Sequence, residues 1–322
     1  MNSAPRRASV RALAKTNLTL KVLHRRPDGF HELRTIFQTI SLADRLDIEF
    51  IPGARTEIAI ECRAELASEN NLAVRAARAV LDAAGVAGQV RLRLDKRLPL
   101  GGGLGGGSSD AAAVLLALPV LAGFELPVDE LIALGAGLGS DVPFFLLGGA
   151  ALGIGRGTEL YPLPEPPLMW GLMVMPAVHV STAEAYAALG RELTSPPDFN
   201  SMNVLRAFSW CFGQGLTARS WAASAENDFE GFVFERYPVL AGIRRQLLEL
   251  GACPVLLSGS GASVYGVFPS RRQARQARAA FHDQQAESFY LVSRARYRRM
   301  WQRSLMGHLS EESWPPRSRY VR

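Results

Sequence analysis

The first fifty residues carry the hydrophobic pattern of strands joined by tight turns. The segment "VRALAKTNLTLKVL" partly alternates apolar and polar side chains, and "RTIFQTISL" and "DRLDIEFI" continue in the same way. Alternation with a period of two is typical of a strand with one buried face. The Pro-Asp-Gly sequence within "RRPDGF" is a turn signal. We therefore predict a β-meander or a set of hairpins in this part of the chain.

A helix and another strand are predicted next. Apolar residues recur at helical intervals in "NLAVRAARAVLDAA", residues 71–84, and the glycine that follows, Gly85, is of the type that ends helices. The segment "QVRLRLD" alternates cleanly, which predicts a half-buried strand with its apolar residues on one face.

Six glycines then occupy seven positions, residues 101–107, directly before the helical pattern "SSDAAAVLLAL". We call residues 101–107 the glycine loop. Such density is usual in flexible linkers, yet here a strand, a turn and a helix follow one another directly. Ser108, Ser109 and Asp110 are N-cap types, so we place the start of the helix at these residues. Glycine lets a backbone approach an anion closely, and helix N-termini attract phosphate.

The glycine loop fits none of the three best-known phosphate motifs. So many glycines match G-x-G-x-x-G trivially, and no lysine follows them as a Walker A sequence requires. A protein-kinase glycine loop would be followed by a strand. The alternative is a tight turn without a ligand, although that many glycines carry a large entropic cost.

A proline-rich segment, "YPLPEPP", lies between the two patterned halves of the chain. Before it, a helix is predicted over 127–134, and Asp141 precedes a second helix start at Val142-Pro143. Asp141 is therefore either an N-cap or a functional carboxylate.

Beyond the prolines, "LMWGLMVMPAVHV" predicts a buried strand and "STAEAYAAL" a helix with a capping box. A further helix near 239–250 precedes a strand, glycine turn and strand in "PVLLSGSGASVYGVF". We predict a first domain at 1–160, a second at 161–307 and a basic tail at 308–322.

Composition and charge limit the function classes. The chain has 322 residues and 48% hydrophobic content, enough for a substantial core and two domains. Its net charge is +6, but residues 271–322 hold 12 arginines and four acids, so the first 270 residues are slightly acidic. We expect a packed helix and a frayed tail there, or alternatively a basic arm for RNA or anionic lipid. Only three residues are lysines, against 33 arginines, which draws attention to Lys15, Lys21 and Lys96.

Other classes lack a signal. No apolar run reaches the roughly 20 residues of a membrane span, and the N-terminus has no secretory h-region, so we expect a cytoplasmic protein. The three cysteines form no CxxC and the five histidines no HExxH, so neither a disulfide framework nor a zinc site is indicated.

Three segments together resemble the GHMP small-molecule kinases. "PLGGGLGGGSSDAA" is similar to the central phosphate loop of that family, "RALAKTNLTL" to its N-terminal strand with a lysine, and "LLSGSGASVYGVF" to its third glycine motif. The resemblance implies a mixed α/β fold, the α+β two-domain GHMP kinase fold. An N-terminal ATP-binding domain would join a smaller α+β substrate domain, with the active site in the cleft between them.

"RRPDGFHEL" and "DKRLPLGGGLGGGSSDAA" further resemble one branch of that family. Its members phosphorylate the 2-hydroxyl of a cytidine diphosphate-linked methylerythritol on the methylerythritol phosphate route to isoprenoids. The implied ligands are ATP, Mg²⁺ and this small molecule, with no nucleic acid and no membrane. Neither the Mg²⁺ ligands nor the oligomeric state follows from the sequence.

The resemblance implies that Lys15 and Asp141 are the catalytic pair. Asp141 would take the proton of the acceptor hydroxyl as it attacks the γ-phosphate, and Lys15 would oppose the developing negative charge. A nearby ammonium also favours the ionised carboxylate that a base requires.

Nucleotide contacts are implied as well. The loop residues that would surround the phosphates are Gly101, Gly102, Gly103, Leu104, Gly105, Gly106, Gly107, Ser108 and Ser109. Asn71 and Lys96 would lie near the adenosine, although Asn71 is also a natural cap for the helix that follows it.

For the acceptor, the resemblance implies Phe30 and Tyr186 around the cytosine ring and His31 at its polar edge. The further substrate-binding residues implied are Asn17, Thr182, Ser258, Gly259, Ser260 and Gly261. Alternatively, Phe30 follows an ordinary hairpin turn as a core residue. Phe30 stands where the family commonly has Tyr, and Thr16 where an apolar residue is usual.

Three alternatives stay open on the sequence alone. The chain could be a GHMP kinase for another small alcohol, of the homoserine or mevalonate type, or a catalytically silent nucleotide-binding regulator. The basic tail could separately bind RNA.

Overall fold

A computed structural model gives the structure of the protein for residues 4–190, 218–309 and 316. Its strands are β1 (Arg6–Arg25), β2 (His31–Pro52), β3 (Glu57–Glu61), β4 (Gly88–Asp95), β5 (Ala150–Gly155), β6 (Glu159–Pro162), β7 (Trp170–Met175), β8 (Val255–Leu257), β9 (Val264–Phe268) and β10 (Gln285–Tyr290). Its helices are α1 (Leu72–Ala84), α2 (Gly106–Ala122), α3 (Val128–Leu138), α4 (Val142–Leu147), α5 (Thr182–Ala188), α6 (Ala218–Ala222), α7 (Glu230–Arg236), α8 (Pro238–Glu249), α9 (Arg271–Arg278) and α10 (Arg294–Leu305).

The first sheet is organised around the long strand β2. Its second half pairs with β4 and its first half with β5, while β1 runs antiparallel to it along almost the whole length. The order is β3-β4-β2-β5-β6, and only β3 and β4 run parallel. The sequence analysis predicts two strands where the structure has the single strand β2. The strand pattern itself is confirmed.

Helices α1 and α2 cover one face of this sheet and form the first hydrophobic core with it. The alternation in β4 is confirmed, because Val90, Leu92 and Leu94 are buried there. Helix α1 ends at Gly85, which adopts φ of 63° as the predicted helix stop. Helix α2 is apolar on all sides and almost entirely buried, as expected of a helix in the centre of a domain.

The second sheet is antiparallel, with the order β10-β7-β9-β8. Helices α7, α8 and α9 pack on it through Val233, Leu240, Ile243, Leu247 and Ala274. The predicted strand, glycine turn and strand correspond to β8 and β9. The proline-rich segment connects β6 of the first sheet to β7 of the second.

The last helix, α10, returns to the first core. Tyr297, Trp301 and Leu305 are buried there, so this segment, assigned to the second domain from the sequence, packs with the first. Of the predicted basic tail, only residues 308, 309 and 316 lie within the described part. Among the described helices, none combines the length and apolar character needed to cross a membrane.

Candidate active site

A cleft of about 1240 Å³ brings together residues from distant parts of the chain. It is lined from the first sheet by Phe30 and His31, from the start of α2 by Ser108, and from the start of α4 by Asp141. Tyr186 of α5 lines it from the side of the second sheet. The sequence analysis names all five as site residues, and the fold places them around one space.

Lys15 and Asp141 form an ion pair beside the glycine loop. The Lys15 Nζ lies 3.5 Å from the Asp141 Oδ2. The lysine side chain is 5% exposed, whereas that of Asp141 is 31% exposed and reaches the cleft. Asp141 stands at the N-cap position of α4, but its side chain makes no capping hydrogen bond. Its carboxylate is therefore directed to the lysine and the cleft instead of the helix backbone.

Hydrogen bonds fix the Lys15 ammonium. Its Nζ donates to the Asn17 Oδ1 at 3.0 Å, and the Asn17 Nδ2 donates to the Thr35 Oγ1 at 2.7 Å. Thr35 in turn donates to the Thr19 carbonyl. Asn17 is expected to contact substrate, but both ends of its buried amide have partners within the protein. Asn17 thus positions Lys15.

The glycine loop lies against the turn between β8 and β9 without room for a side chain. A Cβ on Gly103, where φ is 73°, would stand 1.9 Å from the Ser258 carbonyl oxygen. The Ser258 hydroxyl donates to the Gly103 carbonyl at 2.9 Å and accepts a 3.3 Å hydrogen bond from Thr16. The hydroxyl of Thr16, a departure from the family pattern, therefore helps to join the two glycine turns.

Behind the loop lies a buried cluster of three ionisable side chains. The Lys96 Nζ donates to the Asp44 Oδ2 at 2.5 Å and to the Asp110 Oδ2 at 2.7 Å. The Asp44 Oδ1 accepts the backbone N–H groups of Arg97 and Leu98. A Cβ on Gly106 would meet the Lys96 Nζ at 2.9 Å. The glycine at this position thus lets the first turn of α2 sit directly over the cluster.

One cation faces two carboxylates in this cluster, and all three groups are buried. Burial and the neighbouring Asp44 together raise the pKa of Asp110 to about 7, against the attraction of Lys96. Burial lowers the pKa of Lys96, but Asp110 and Asp44 outweigh burial and raise it overall. The Asp110 Oδ1 has no hydrogen-bond partner.

The start of α2 corrects the predicted helix boundary. The helix begins at Gly106, with Gly105 as the N-cap at φ of 67°, so Ser108, Ser109 and Asp110 already belong to the helix. The Ser109 hydroxyl donates to the Leu13 carbonyl at 2.7 Å and is buried, which removes it from the phosphate side. Its side chain instead anchors α2 to β1.

The two residues expected near adenosine have structural roles. Lys96 belongs to the buried cluster, so its side chain does not reach the surface where a nucleotide would lie. Asn71 caps α1, accepting from the Ala73 N–H and donating to the Leu66 carbonyl. The Asn71 side chain is therefore a helix cap, which is the alternative that the sequence analysis left open.

The aromatic residues are arranged differently from the expected sandwich. His31 itself stacks on Tyr186, with ring centroids 4.6 Å apart and planes 18° apart. Phe30 is exposed and carries the Arg156 guanidinium 4.0 Å above its ring. His31 therefore covers one face of the Tyr186 ring, and a cytosine stacked on that face would have to replace it. The alternative of Phe30 as a core residue is wrong.

Titration states around this stack are set by burial. Burial lowers the pKa of His31, and the cation of Arg25 and the neighbouring His24 lower it further, which favours the neutral imidazole. Burial, with the Asp141 charge, raises the pKa of Tyr186 to about 12. Both rings are thus uncharged near neutral pH.

The second sheet contributes the remaining predicted residues. The Thr182 and Ser260 hydroxyls are 2.9 Å apart, and a Cβ on Gly259 would lie 3.4 Å from the Lys15 Nζ. The turn from Ser258 to Gly261 therefore lies against the ammonium of Lys15.

Two residues at the site have no signal in the sequence. The Asn227 Nδ2 donates to the Leu257 and Gly259 carbonyls, which holds the turn between β8 and β9 in place. Arg156 lines the cleft, and its buried Nε has no hydrogen-bond partner. Both act through neighbours distant in the chain, which no local pattern indicates.

Comparison with known proteins places the chain among kinases. The family models for the GHMP kinases N terminal domain and the GHMP kinases C terminal domain match residues 71–149 and 214–287. A 4-diphosphocytidyl-2-C-methyl-D-erythritol kinase from Solibacter usitatus is 51% identical over 99% of both chains. One from Geobacillus kaustophilus is 39% identical over 81% of this chain and 88% of its own.

Solved structures agree with this placement. A crystal structure of 4-(cytidine 5'-diphospho)-2C-methyl-D-erythritol kinase is 39% identical and superimposes with a TM-score of 0.73, covering 88% of this chain and 99% of its own. A homoserine kinase from Cytophaga hutchinsonii, 19% identical, shares the fold with a TM-score of 0.68 over 91% of this chain and 96% of its own.

The contact between the two glycine turns predicts unequal effects of two alanine substitutions. Gly103→Ala should lower the free energy of unfolding by about 2 to 4 kcal/mol. The alanine would have to adopt a left-handed backbone conformation, and its Cβ would clash with the Ser258 carbonyl. Gly107 lies within α2, and a Cβ there meets only the Leu72 Cδ1 at an ordinary 3.5 Å, so Gly107→Ala should stay within about 1 kcal/mol of the parent protein. Urea unfolding measures both. Equal free energies of unfolding for the two variants would show that Gly103 is not in close contact with the Ser258 carbonyl.

The buried cluster predicts a pH-dependent stability. The folded protein holds a proton on Asp110 up to about pH 7, whereas the unfolded chain releases it near the ordinary aspartate pKa of 3.8. The contribution of Asp110 is therefore complete below the unfolded pKa and is lost as the pH rises through about 7. Unfolding by urea at about pH 5 and about pH 8 should show Asp110→Asn gaining stability relative to the parent protein as the pH rises. Asp82→Asn, on the exposed face of α1, is the control, and identical pH profiles for both variants would refute the account.

Proposed function

Because the chain belongs to the GHMP kinase family, we propose that it transfers the γ-phosphoryl group of ATP to the 2-hydroxyl of 4-diphosphocytidyl-2-C-methyl-D-erythritol. The products are the 2-phosphate and ADP, on the methylerythritol phosphate route to isoprenoid precursors. The observation that supports this most is the Lys15–Asp141 pair, which stands beside the glycine loop and at the wall of the cleft that holds His31 and Tyr186.

Asp141 is the proposed general base. Its carboxylate is partly exposed to the cleft, makes no capping hydrogen bond and lies 3.5 Å from the Lys15 ammonium. An alcohol becomes a good nucleophile only as its proton leaves, so a carboxylate within reach of the hydroxyl lowers the barrier. As the hydroxyl oxygen of the acceptor attacks the γ-phosphorus of ATP, its proton passes to a carboxylate oxygen of Asp141.

Lys15 is the proposed electrostatic partner. Its ammonium is held by Asn17 in a nearly dry position, where a charge acts more strongly than in water. The nearby Gly259 leaves it uncovered by any side chain on that side. From this position Lys15 opposes the charge that develops on the transferred phosphoryl oxygens.

The nucleotide phosphates are proposed to lie on the glycine loop and the first turn of α2. The first N–H groups of this helix have no partner within the helix and carry the positive end of its dipole. Residues 101–107 allow the phosphates to approach the backbone. Ser108, which lines the cleft, supplies a hydroxyl beside them.

Mg²⁺ is proposed to reach the site mainly on the nucleotide. Among the described residues no cluster of three or more His, Cys, Asp or Glu side chains could hold a metal. That fits Mg²⁺, which keeps water ligands and is commonly bound by substrate phosphates with one or two protein oxygens. The Ser108 hydroxyl is the oxygen donor we propose for it. When bound, the ion neutralises phosphate charge.

On the acceptor side, we propose that His31, Tyr186 and Arg156 select the cytidine diphosphate. Neutral His31 can both donate to and accept from the edge of a base. Arg156 lines the same cleft, and its guanidinium charge suits the phosphates of the acceptor.

Steady-state assay of ADP release tests the proposal. The parent protein should turn over with the cytidine diphosphate-linked methylerythritol, and not with homoserine or mevalonate. Asp141→Asn should lower kcat by about 10² to 10⁴ and leave the KM of the acceptor nearly unchanged, because the proton loses its acceptor. Asp82→Asn should behave as the parent.

Two results would count against this function. Comparable turnover with homoserine or mevalonate would move the protein to another branch of the family. Full kcat in Asp141→Asn would remove Asp141 from the chemistry, whatever the acceptor.

A further inference from the structure

A second concave site of about 540 Å³ lies between β1 and α10. Arg11 of β1 and Arg296, Arg299 and Arg303 of α10 line it, and none of its lining residues lines the active-site cleft. We call this site the arginine pocket. Its residues have no role in the reaction proposed above.

The four arginines of the pocket have no acidic partner among the described residues. Arg296, Arg299 and Arg303 are spaced by three and four residues, so they share one face of α10 and repel one another. Among the described residues that line the pocket, none has an acidic side chain. None of the ion pairs in the described part of the chain includes Arg11 or these three arginines. A bound anion would relieve this repulsion.

Two of the guanidinium groups are already oriented. The Arg11 Nη2 donates to the Ser41 carbonyl at 2.9 Å, and the Arg296 guanidinium lies 4.5 Å above the Tyr290 ring. Tyr290 is tied to the same place, because its N–H donates to the Ser41 Oγ at 3.0 Å. Groups held in position lose less entropy when a ligand binds.

We propose that the arginine pocket binds a small anion that carries two or more phosphoryl groups. Guanidinium forks match phosphate oxygens two at a time, and four of them balance the charge of a diphosphate or triphosphate. The volume lies in the range of small-molecule sites. The four arginines line one concave site of about 540 Å³, which suits a compact anion better than the extended groove that a nucleic-acid backbone needs.

Calorimetric titration of the full chain with inorganic pyrophosphate tests the proposal. Arg299→Gln/Arg303→Gln should lose a binding phase, or weaken it at least about tenfold, because two charge-assisted interactions disappear. Arg11→Gln should weaken the same phase from the opposite wall. Arg272→Gln/Arg275→Gln, which removes the same charge from the exposed face of α9, is the matched control and should bind as the parent. Any pyrophosphate that binds to the glycine loop should bind equally to the parent and to every variant, because the variants leave that loop unchanged.

The variants that lose pyrophosphate binding should keep the circular dichroism spectrum and the kinase turnover of the parent, since the pocket lies outside the active site. Equal pyrophosphate affinity in the pocket variant and the matched control would overturn the proposal. Loss of affinity for a single-stranded RNA oligonucleotide alone, with pyrophosphate binding unaffected, would overturn it too, because the arginines would then serve a macromolecule.

Discussion

The backbone of the glycine loop touches its neighbours so closely that Gly103, Gly105 and Gly106 have no room for a side chain. The Ser258 carbonyl occupies the space of a Cβ on Gly103, and the Lys96 ammonium that of a Cβ on Gly106. Gly105 is likewise closed off by the ring of Phe145. These contacts come from three parts of the chain, so the loop is held rigid although its residues are individually the most flexible. A linker of the same composition would have no such neighbours.

This close packing determines where the charges of the site lie. Lys15 donates its backbone N–H to the Leu104 carbonyl, so β1 and the glycine loop are joined next to the proposed catalytic pair. Asp141 approaches from the other side, at the start of α4, where its carboxylate is free of the helix backbone. The buried cluster of Lys96, Asp44 and Asp110 supports the start of α2 from below. Ser108 at the start of α2 and Asp141 at the start of α4 thus line one cleft, and the Lys15 ammonium lies 3.5 Å from the Asp141 carboxylate.

The sequence predicts the elements of this fold better than their connections. Strict alternation in β4 and the Gly85 stop are local signals, and both are confirmed. The cluster around Lys96 could not be predicted, because Asp44 lies 52 residues away along the chain. The sequence places the start of α2 too late for a related reason. The serines that look like N-caps lie inside the helix, where Ser109 contacts Leu13 and Ser108 lines the cleft. The pairing of Phe30 with Arg156 likewise depends on tertiary contact. The resemblance indicated the right family because its motifs mark the positions where backbone contact leaves glycine as the residue that fits.

The central claim is that Lys15 and Asp141 act as one unit in phosphoryl transfer. A double-mutant cycle in single-turnover experiments, with Lys15→Met, Asp141→Asn and the combined variant, measures this most directly. If the two groups act together, the combined variant should be about as slow as the slower single variant. A combined loss equal to the product of the two single losses would show that they act independently, and the account of the site given above would be wrong.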